Sequence, residues 1–185
     1  ASELFNDALQ KDNTLIGPRY RLAQCAFAEG HKSQGRDYLI SEAELAPEDT
    51  DALVSMGSMF LAIGDTDWAA NCLLRAVDID CANADAYYYL GLVSVVKGEA
   101  EDALEFFGHV LDSRPDHIPA LRDSAIVYLA MGRLAGAAER IKKAMALDAD
   151  DSQLKALERK IKLAQVIERI TDFLAKYVPA HRWRG

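Results

Sequence analysis

The sequence lacks several features that would place it in a common class of protein. Its three cysteines are an odd number without a C-x-x-C pair, which argues against a disulfide scaffold and a zinc site. No apolar run reaches the roughly 18 residues of a membrane-spanning helix. The net charge of −8 argues against a general nucleic-acid binder. The first residues, ASELF, carry neither an initiator methionine nor a signal peptide, so we expect a fragment or a processed chain with a cytoplasmic location.

Catalytic and metal-binding signatures are missing as well. There is no G-x-S-x-G, P-loop or H-E-x-x-H motif, and the four histidines fall in unrelated predicted environments. The acidic clusters at 47–51 and 148–151 lack the ligand spacing of a calcium loop, and capping of the following helix explains them better. We therefore expect no enzymatic activity, no catalytic residue, no metal and no cofactor.

What the chain does have is an internal repeat. Glycine recurs at a constant interval of 34 residues, at Gly30, Gly64, Gly98 and Gly132. Four glycines in one column are far beyond chance in a chain that has 11 glycines among 185 residues. The interval divides the sequence without a gap into four blocks: 16–49, 50–83, 84–117 and 118–151.

Each block has the pattern of two helices that cross closely. The eighth and twentieth positions hold only small residues: Ala23, Gly57, Gly91 and Ala125, then Gly35, Ala69, Ala103 and Ala137. The twenty-fourth position is large and apolar: Leu39, Leu73, Phe107 and Ile141. Small residues let helices approach, and large ones fill the space beside them. The glycine column is predicted to end the first helix in a left-handed cap.

Prolines agree with these boundaries. Pro47 and Pro115 stand where the second helix of a block must stop, since proline cannot continue a helix. Pro18 and Pro119 stand at predicted helix starts, where the missing N–H has no partner to lose. Each block is therefore predicted to be a helix hairpin.

The pattern resembles the tetratricopeptide repeat (TPR) family. Block 84–117 matches its signature best, with six residues in the family's positions: Tyr87, Leu90, Gly91, Ala103, Phe107 and Pro115. The resemblance implies an all-α fold, a right-handed α-solenoid of four stacked helix-turn-helix TPR units, one in each block. The first block departs most from the signature, because Arg19 and Glu42 stand at two normally apolar positions, so its packing is the least determined.

Both ends of the chain continue the pattern in part. Residues 1–15 have the pattern of the second helix of a truncated preceding repeat, so we expect a piece cut from a longer array. Arg159 stands where a further repeat needs a small residue, which predicts one long C-terminal capping helix at 152–178 and a tail at 179–185. The apolar residues of this helix recur at three- and four-residue steps: Leu154, Leu157, Ile161, Ala164, Ile167, Ile170, Leu174 and Tyr177.

The resemblance also implies a groove on the concave side of the solenoid, lined mainly by the first helix of each repeat. The fifth, ninth and twelfth positions of the blocks give the expected lining: Tyr20, Gln24, Phe27, Val54, Ser58, Leu61, Tyr88, Leu92, Val95, Arg122, Ile126 and Leu129. This lining is mainly apolar. We expect it to bind a peptide or a helix of another protein by burying aromatic and aliphatic anchors. The sequence thus predicts a protein–protein interaction scaffold.

Three consecutive tyrosines, Tyr87, Tyr88 and Tyr89, fit this arrangement. Neighbouring side chains on a helix point about 100° apart, so three aromatic rings cannot share one face. Tyr87 is expected to pack between helices, Tyr88 to point into the groove, and Tyr89 to lie at its edge. The alternative for Tyr88 is a half-buried ring that only stabilises its own helix.

The family's carboxylate clamp, which grips the C-terminal tail of heat-shock chaperones, is disfavoured. It needs Lys and Asn at the fifth and ninth positions of one block. None of the four blocks supplies that pair, and Arg122 is the only basic residue at a fifth position.

Alternatives to a free-standing scaffold remain open. The array could be the docking or regulatory segment of a larger multidomain enzyme. It could also self-assemble into a homo-oligomer through the array ends or the helix at 152–178, and that helix could instead fill the groove. Residues 152–185 are basic, with 8 Lys and Arg against 3 Asp and Glu. This end could dock on an acidic protein, approach anionic lipid or lead into another domain; we favour the last and expect no membrane partner.

Overall fold

The structure, a computed structural model, describes residues 2–45 and 48–177 of the 185-residue chain. Within these residues the regular secondary structure consists of α-helices without strands, which confirms the predicted all-α class. The helices are α1 Ser2–Lys11, α2 Pro18–Ala28, α3 Lys32–Glu44, α4 Thr50–Ala62, α5 Thr66–Ile79, α6 Ala84–Lys97, α7 Ala100–Ser113, α8 Ile118–Ala130, α9 Leu134–Leu147 and α10 Ser152–Tyr177. Pro47, residue 178, the tail and His181 within it lie outside the described residues.

The helices are arranged as successive hairpins. Each 34-residue block contains one pair, α2 with α3, α4 with α5, α6 with α7, and α8 with α9, and the partners of each pair pack against each other. Helix α1 packs against α2. The chain is thus an all-α solenoid of repeated hairpins, as predicted.

The turn inside each hairpin depends on its glycine. Gly30, Gly64, Gly98 and Gly132 have φ values of 84°, 85°, 80° and 72°. This left-handed region carries a steric cost for residues with a Cβ, which glycine does not have. The predicted left-handed end of the first helix is therefore confirmed in all four hairpins.

Close packing inside the hairpins follows the predicted columns of small and large residues. All twelve residues of the eighth, twentieth and twenty-fourth positions are buried. A Cβ added to Gly57 would lie 2.6 Å from Cγ of Leu73, and one added to Gly91 would lie 2.5 Å from the Phe107 ring. Because real Cβ atoms do not come so close, these glycines are needed for the approach of the two helices.

The last position of each block caps the helix that follows. Asp49 accepts backbone N–H groups at the start of α4, Asn83 does so for α6, and Nδ1 of His117 does so for α8. Asp151 accepts the N–H groups of Gln153 and Leu154 at the start of α10. Side-chain acceptors at this position satisfy N–H groups that have no partner within the helix. Capping is therefore confirmed as the role of the acidic clusters.

The chain forms two compact units, residues 1–113 and residues 114–185. In the first unit, one buried core cluster runs through α2 to α6. Polar contacts join successive hairpins of this unit: Arg36 bonds to Asp65 at 2.7 Å, Arg75 donates to the carbonyl of Ala43 at 2.9 Å, and Lys97 bonds to Asp67 at 3.0 Å. The hairpins of this unit are thus held by both apolar and polar contacts.

In the second unit, α10 packs against α9 and α8. Leu154, Leu157 and Ile161 are buried. The apolar residues that follow are exposed: Leu163, Val166, Ile167, Ile170, Phe173 and Leu174. No helix among the described residues is long and apolar enough to cross a membrane.

Candidate protein-binding surface

In the first unit, the predicted groove residues lie on three helices. They are Tyr20, Gln24 and Phe27 on α2, Val54, Ser58 and Leu61 on α4, and Tyr88, Leu92 and Val95 on α6. Residues four and three positions apart lie on one face of a helix, so each trio forms a row. Helices α4 and α6 contact each other, which brings two of these rows together.

These side chains are neither fully buried nor fully exposed. Eight of the nine are half-buried, and Val95 is 40 % exposed. Tyr20, Phe27, Val54 and Leu61 pack against the buried core cluster with part of their surface. The rows therefore combine rigid support from the core with apolar area that is still accessible.

The three tyrosines make different contacts. The Tyr87 ring stacks on His109 of α7 at 4.7 Å between centroids and lies 6.3 Å from Phe106, so it packs between helices as predicted. The Tyr88 ring lies 6.0 Å from Phe107 and 5.6 Å from Tyr89. All three tyrosines are half-buried. Tyr88 thus has one side against α7, a contact that the sequence did not indicate.

In the second unit, the predicted residues lie on α8. Nε of Arg122 donates to Asp123 at 2.8 Å, and its Nη1 donates to Oε1 of Gln153 on α10 at 3.5 Å. Ile126 is exposed and Leu129 is half-buried. Helix α10 therefore approaches the fifth position of this block, where the sequence had suggested a groove residue.

Two cavities lie between α2 and α4 of the first unit. The first, of about 330 Å³, is bounded by Ile16, Gly17, Tyr20, Arg21, Glu42, Asp49, Asp51, Ala52, Ser55 and Met56. The second, of about 390 Å³, is bounded by Gln24, Phe27, Lys32, Met59, Ala62 and Ile63. Of the predicted residues, Tyr20 lines the first cavity, while Gln24 and Phe27 line the second.

Sequence reasoning missed several cavity residues. Ser55, Met56 and Met59 occupy positions of α4 that the family pattern does not assign to the groove. The signal that could have found the first cavity is Glu42, an acidic residue at a position that is apolar in other blocks. A carboxylate at a buried position needs polar surroundings or an open space beside it.

No group of three or more His, Cys, Asp or Glu side chains among the described residues is placed to hold a metal ion. The cysteines are free thiols, with Cys72 buried and Cys81 exposed. Burial raises the pKa of the Cys72 thiol to about 11, against a small opposing effect of Arg75. Cys72 is therefore protonated at neutral pH and a poor nucleophile.

Solved structures resemble this chain in fold. YrrB, a TPR protein with an unusual peptide-binding site, has a TM-score of 0.74 and 18 % identity, and the match covers 85 % of this chain and 81 % of YrrB. MamA has a TM-score of 0.71 and 24 % identity, covering 80 % and 86 %. The first TPR of Spaghetti (RPAP3), bound to the HSP90 peptide SRMEEVD, has a TM-score of 0.61 and 16 % identity, covering 63 % and 93 %.

Sequence comparisons agree with the fold. Human Protein O-mannosyl-transferase TMTC3 is 30 % identical over 115 residues, which are 61 % of this chain and only 13 % of the length of that protein. The family model described as Tetratricopeptide repeat matches residues 97–161. This match covers only part of the chain, and the 34-residue hairpins with their glycine caps show the same repeat in the other blocks, so the fold is an all-α solenoid of tetratricopeptide repeats.

Proposed function

We propose that this chain is a non-catalytic protein–protein interaction scaffold that binds a helix or an extended peptide of a partner. In the first unit the binding surface is formed by the groove rows on α2, α4 and α6. In the second unit, taken by itself, the candidate residues are Arg122, Ile126 and Leu129 on α8. YrrB has an unusual peptide-binding site and the RPAP3 domain binds an HSP90 peptide, which supports a binding role for this fold.

The observation that carries the proposal is the partial burial of the rows on α4 and α6. Val54, Leu61 and Leu92 keep accessible surface above a closed core, and Val95 is 40 % exposed. Accessible apolar side chains on two helices that contact each other form the kind of surface at which protein partners bind. Aromatic and aliphatic side chains supported by a rigid core are also good anchors, because little side-chain entropy is lost on binding.

The chemistry of the rows favours an apolar ligand over an acidic tail. The HSP90 peptide SRMEEVD carries three acidic side chains and needs basic partners. In the first unit, the fifth and ninth positions are Tyr20, Gln24, Val54, Ser58, Tyr88 and Leu92, which include no basic residue. A partner segment with Leu, Ile, Met or aromatic anchors at helical or extended spacing matches this surface better.

Removal of two central anchors tests the proposal. The double substitution Tyr88→Ala with Leu92→Ala should weaken binding of the partner by about 30-fold or more, or about 2 kcal/mol, as expected for anchor residues. The partner is first identified by affinity capture with the intact chain, and its affinity for each variant is then measured by calorimetry. Thermal unfolding followed by circular dichroism verifies that the variant keeps its fold.

A matched control removes similar apolar surface from another helix. Leu74 and Ile79 are exposed large apolar residues on α5, outside the groove rows, so Leu74→Ala with Ile79→Ala should leave the affinity within about twofold. Equal losses in the two double variants, or no loss in the Tyr88 and Leu92 variant, would place the interface elsewhere.

A second candidate is that the array is the docking segment of a larger protein. This candidate is supported by the match to TMTC3, whose name describes a transferase. The match covers 13 % of the length of that protein. In that case the array binds a partner or substrate protein for a catalytic domain elsewhere in the polypeptide. The coding sequence on both sides of residues 1–185 decides this, since a neighbouring enzyme domain supports the candidate and its absence rejects it.

A further inference from the structure

Glu42, near the end of α3, is the unusual buried residue of the first unit. Its side chain is only 2 % exposed. The N–H of Gly17, at the start of α2, donates to its Oε1. Among the described residues, none donates a hydrogen bond to its Oε2, although that atom is buried. The residue 34 positions later is Ala76, which fills the same place without a charge.

A buried carboxylate oxygen without a donor is costly. Transfer of a charged or strongly polar group out of water is unfavourable unless a hydrogen bond or an opposite charge compensates for it. The hydrogen bond from the N–H of Gly17 gives Oε1 of Glu42 a donor and also fixes the start of α2. The other oxygen retains its capacity to accept a hydrogen bond, and Glu42 lines the cavity of about 330 Å³ between α2 and α4.

The cavity combines apolar walls with negative charge. Met56, Ala52 and the ring of Tyr20 form part of its lining. The carboxylates of Asp49 and Asp51 also line it. Asp49 caps α4 by accepting the N–H groups of Asp51 and Ala52 with one of its oxygens. A chain of methylene groups ending in a cation is the kind of ligand that matches both features.

The two guanidinium groups near the cavity, those of Arg21 and Arg75, already have partners. Arg21 lines the cavity, but its Nη1 donates to Oε1 of Gln24 at 3.0 Å and its guanidinium lies 5.9 Å from the centroid of the Tyr20 ring. Arg75 donates to the carbonyl of Ala43, next to Glu42. The lining therefore holds three carboxylates and one guanidinium, and its net charge favours a positively charged ligand.

We infer that this cavity binds one cationic side chain of the partner, a lysine or an arginine, and that a small shift of the Glu42 side chain on binding lets its buried Oε2 accept a hydrogen bond from the charged head. The alkyl stem lies against Met56, Ala52 and Tyr20, and the rim carboxylate of Asp51 adds attraction at longer range. The inference rests on the proposed function, because it adds one basic anchor to a partner segment that is otherwise held by apolar contacts.

The test uses a small probe instead of the partner, so its result does not depend on the groove rows. The probe is Nα-acetyl-lysine N-methylamide, and the control is Nα-acetyl-norleucine N-methylamide, which has a similar stem without the ammonium. In a titration followed by amide NMR shifts at low salt, the lysine probe should give saturable shifts of Gly17, Ser55 and Met56, with a dissociation constant on the order of millimolar. The norleucine control should bind at least about tenfold more weakly.

Variants of one charge locate the contact. Glu42→Gln should weaken the lysine probe by about tenfold or more, whereas Glu44→Gln, the same change at an exposed site of α3, should change it by less than about twofold. Asp51→Asn alters no buried group and should weaken binding of the lysine probe by about two- to threefold. It replaces Glu42→Gln as the test if that substitution disturbs the fold.

The outcomes separate this inference from the proposed function. Absence of saturable shifts with the lysine probe, equal binding of norleucine, or equal effects of the Glu42 and Glu44 variants would overturn the inference. The Tyr88→Ala and Leu92→Ala variant should bind the probe normally. If that variant loses the partner and the native chain does not bind the probe, the groove is supported and the cation site is rejected. If that variant keeps the partner and the native chain binds the probe, the cation site is supported and the groove is rejected.

Discussion

The first hairpin, α2 with α3, and the second, α4 with α5, share one backbone pattern but differ in how their interior is filled. At three equivalent positions the second hairpin has Leu53, Phe60 and Ala76, all 0 % exposed, where the first has Arg19, Ala26 and Glu42. The period of glycines and small residues is therefore sufficient for the hairpin. Large apolar residues at the remaining positions decide whether its interior is closed or leaves space.

The polar residues of the first hairpin contact the segment before α2 instead of a core. Nη2 of Arg19 donates to the carbonyl of Asn13 at 2.6 Å, and Glu42 accepts the N–H of Gly17. These contacts fix residues 12–17, which in a fully apolar repeat would need other support. Compared with the second hairpin, the first therefore has fewer large apolar side chains in its interior, and it has polar contacts and an open cavity instead.

The largest expected effect comes from moving the acidic residue into the closed hairpin. Ala76→Glu should lower the free energy of unfolding by about 4 kcal/mol or more, because Ala76 is 0 % exposed within the core cluster, where a carboxylate would lose its hydration. Asn71→Glu, at an exposed site of α5, is the control and should change it by less than about 0.5 kcal/mol. Guanidinium unfolding measures both, and similar midpoints would show that the second hairpin is not closed.

A second pair of substitutions compares the fourth position of blocks 16–49 and 50–83, which is Arg19 in the first and Leu53 in the second. Leu53→Ala should cost about 2–5 kcal/mol of stability, since it leaves a cavity in the core cluster. Arg19→Ala should cost about 1 kcal/mol or less, because the half-buried Arg19 loses only hydrogen bonds to the preceding segment. Chemical denaturation gives both values, and equal costs would mean that the first hairpin depends on Arg19 as much as the second depends on Leu53.

Thiol reactivity compares the two hairpins without changing them. Cys25 on α2 is half-buried, whereas Cys72 on α5 is buried with a pKa raised to about 11. At pH 8 only about one Cys72 thiol in a thousand is ionised, so alkylation of Cys72 should be at least about 100-fold slower than that of Cys25. Mass spectrometry after timed iodoacetamide labelling assigns each rate. Because the thiolate reacts, the Cys72 rate should rise about tenfold per pH unit up to pH ~10. Comparable rates at the two sites would indicate that the second hairpin opens readily.

The smallest effect concerns the closely packed glycines. Gly57→Ala should destabilise by about 1–3 kcal/mol, because its Cβ would meet Leu73, a fully buried residue. Gly35→Ala should lie within about 0.5 kcal/mol of the native chain. Its Cβ would meet the edge of the Phe27 ring, which lines the cavity of about 390 Å³ and can turn toward that space, and alanine is the better helix former. A loss at Gly35 as large as that at Gly57 would show that Phe27 is as firmly held as Leu73.

The fold was predictable because its determinants are local and periodic. The φ angles at Gly30 and its equivalents, the buried small columns and the capping side chains all follow from positions counted along the chain. The candidate surface was predictable only in part. The rows on α4 and α6 follow from helical spacing, but the contact of Tyr88 with Phe107 depends on how two helices meet.

Features that join distant residues were beyond the sequence pattern. Glu42 and Gly17 are 25 residues apart, and their bond depends on the path of the segment before α2. The apolar stripe of α10 has the same spacing along its length, yet among the described residues the buried members are Leu154, Leu157 and Ile161. Periodicity identifies the apolar face of a helix, whereas the extent of its burial depends on how far neighbouring helices reach.

The capping residue at the end of every block has a consequence for how such a protein changes length. Asp49 and Asn83 end successive blocks and start the next helix by the same bond, so a duplicated copy of residues 50–83 would find the correct junction at both of its ends. Gene duplication can therefore lengthen the array by whole hairpins without new linker chemistry. Each added copy would contribute another row of Val54, Ser58 and Leu61, so recognition could be extended in steps to longer partners.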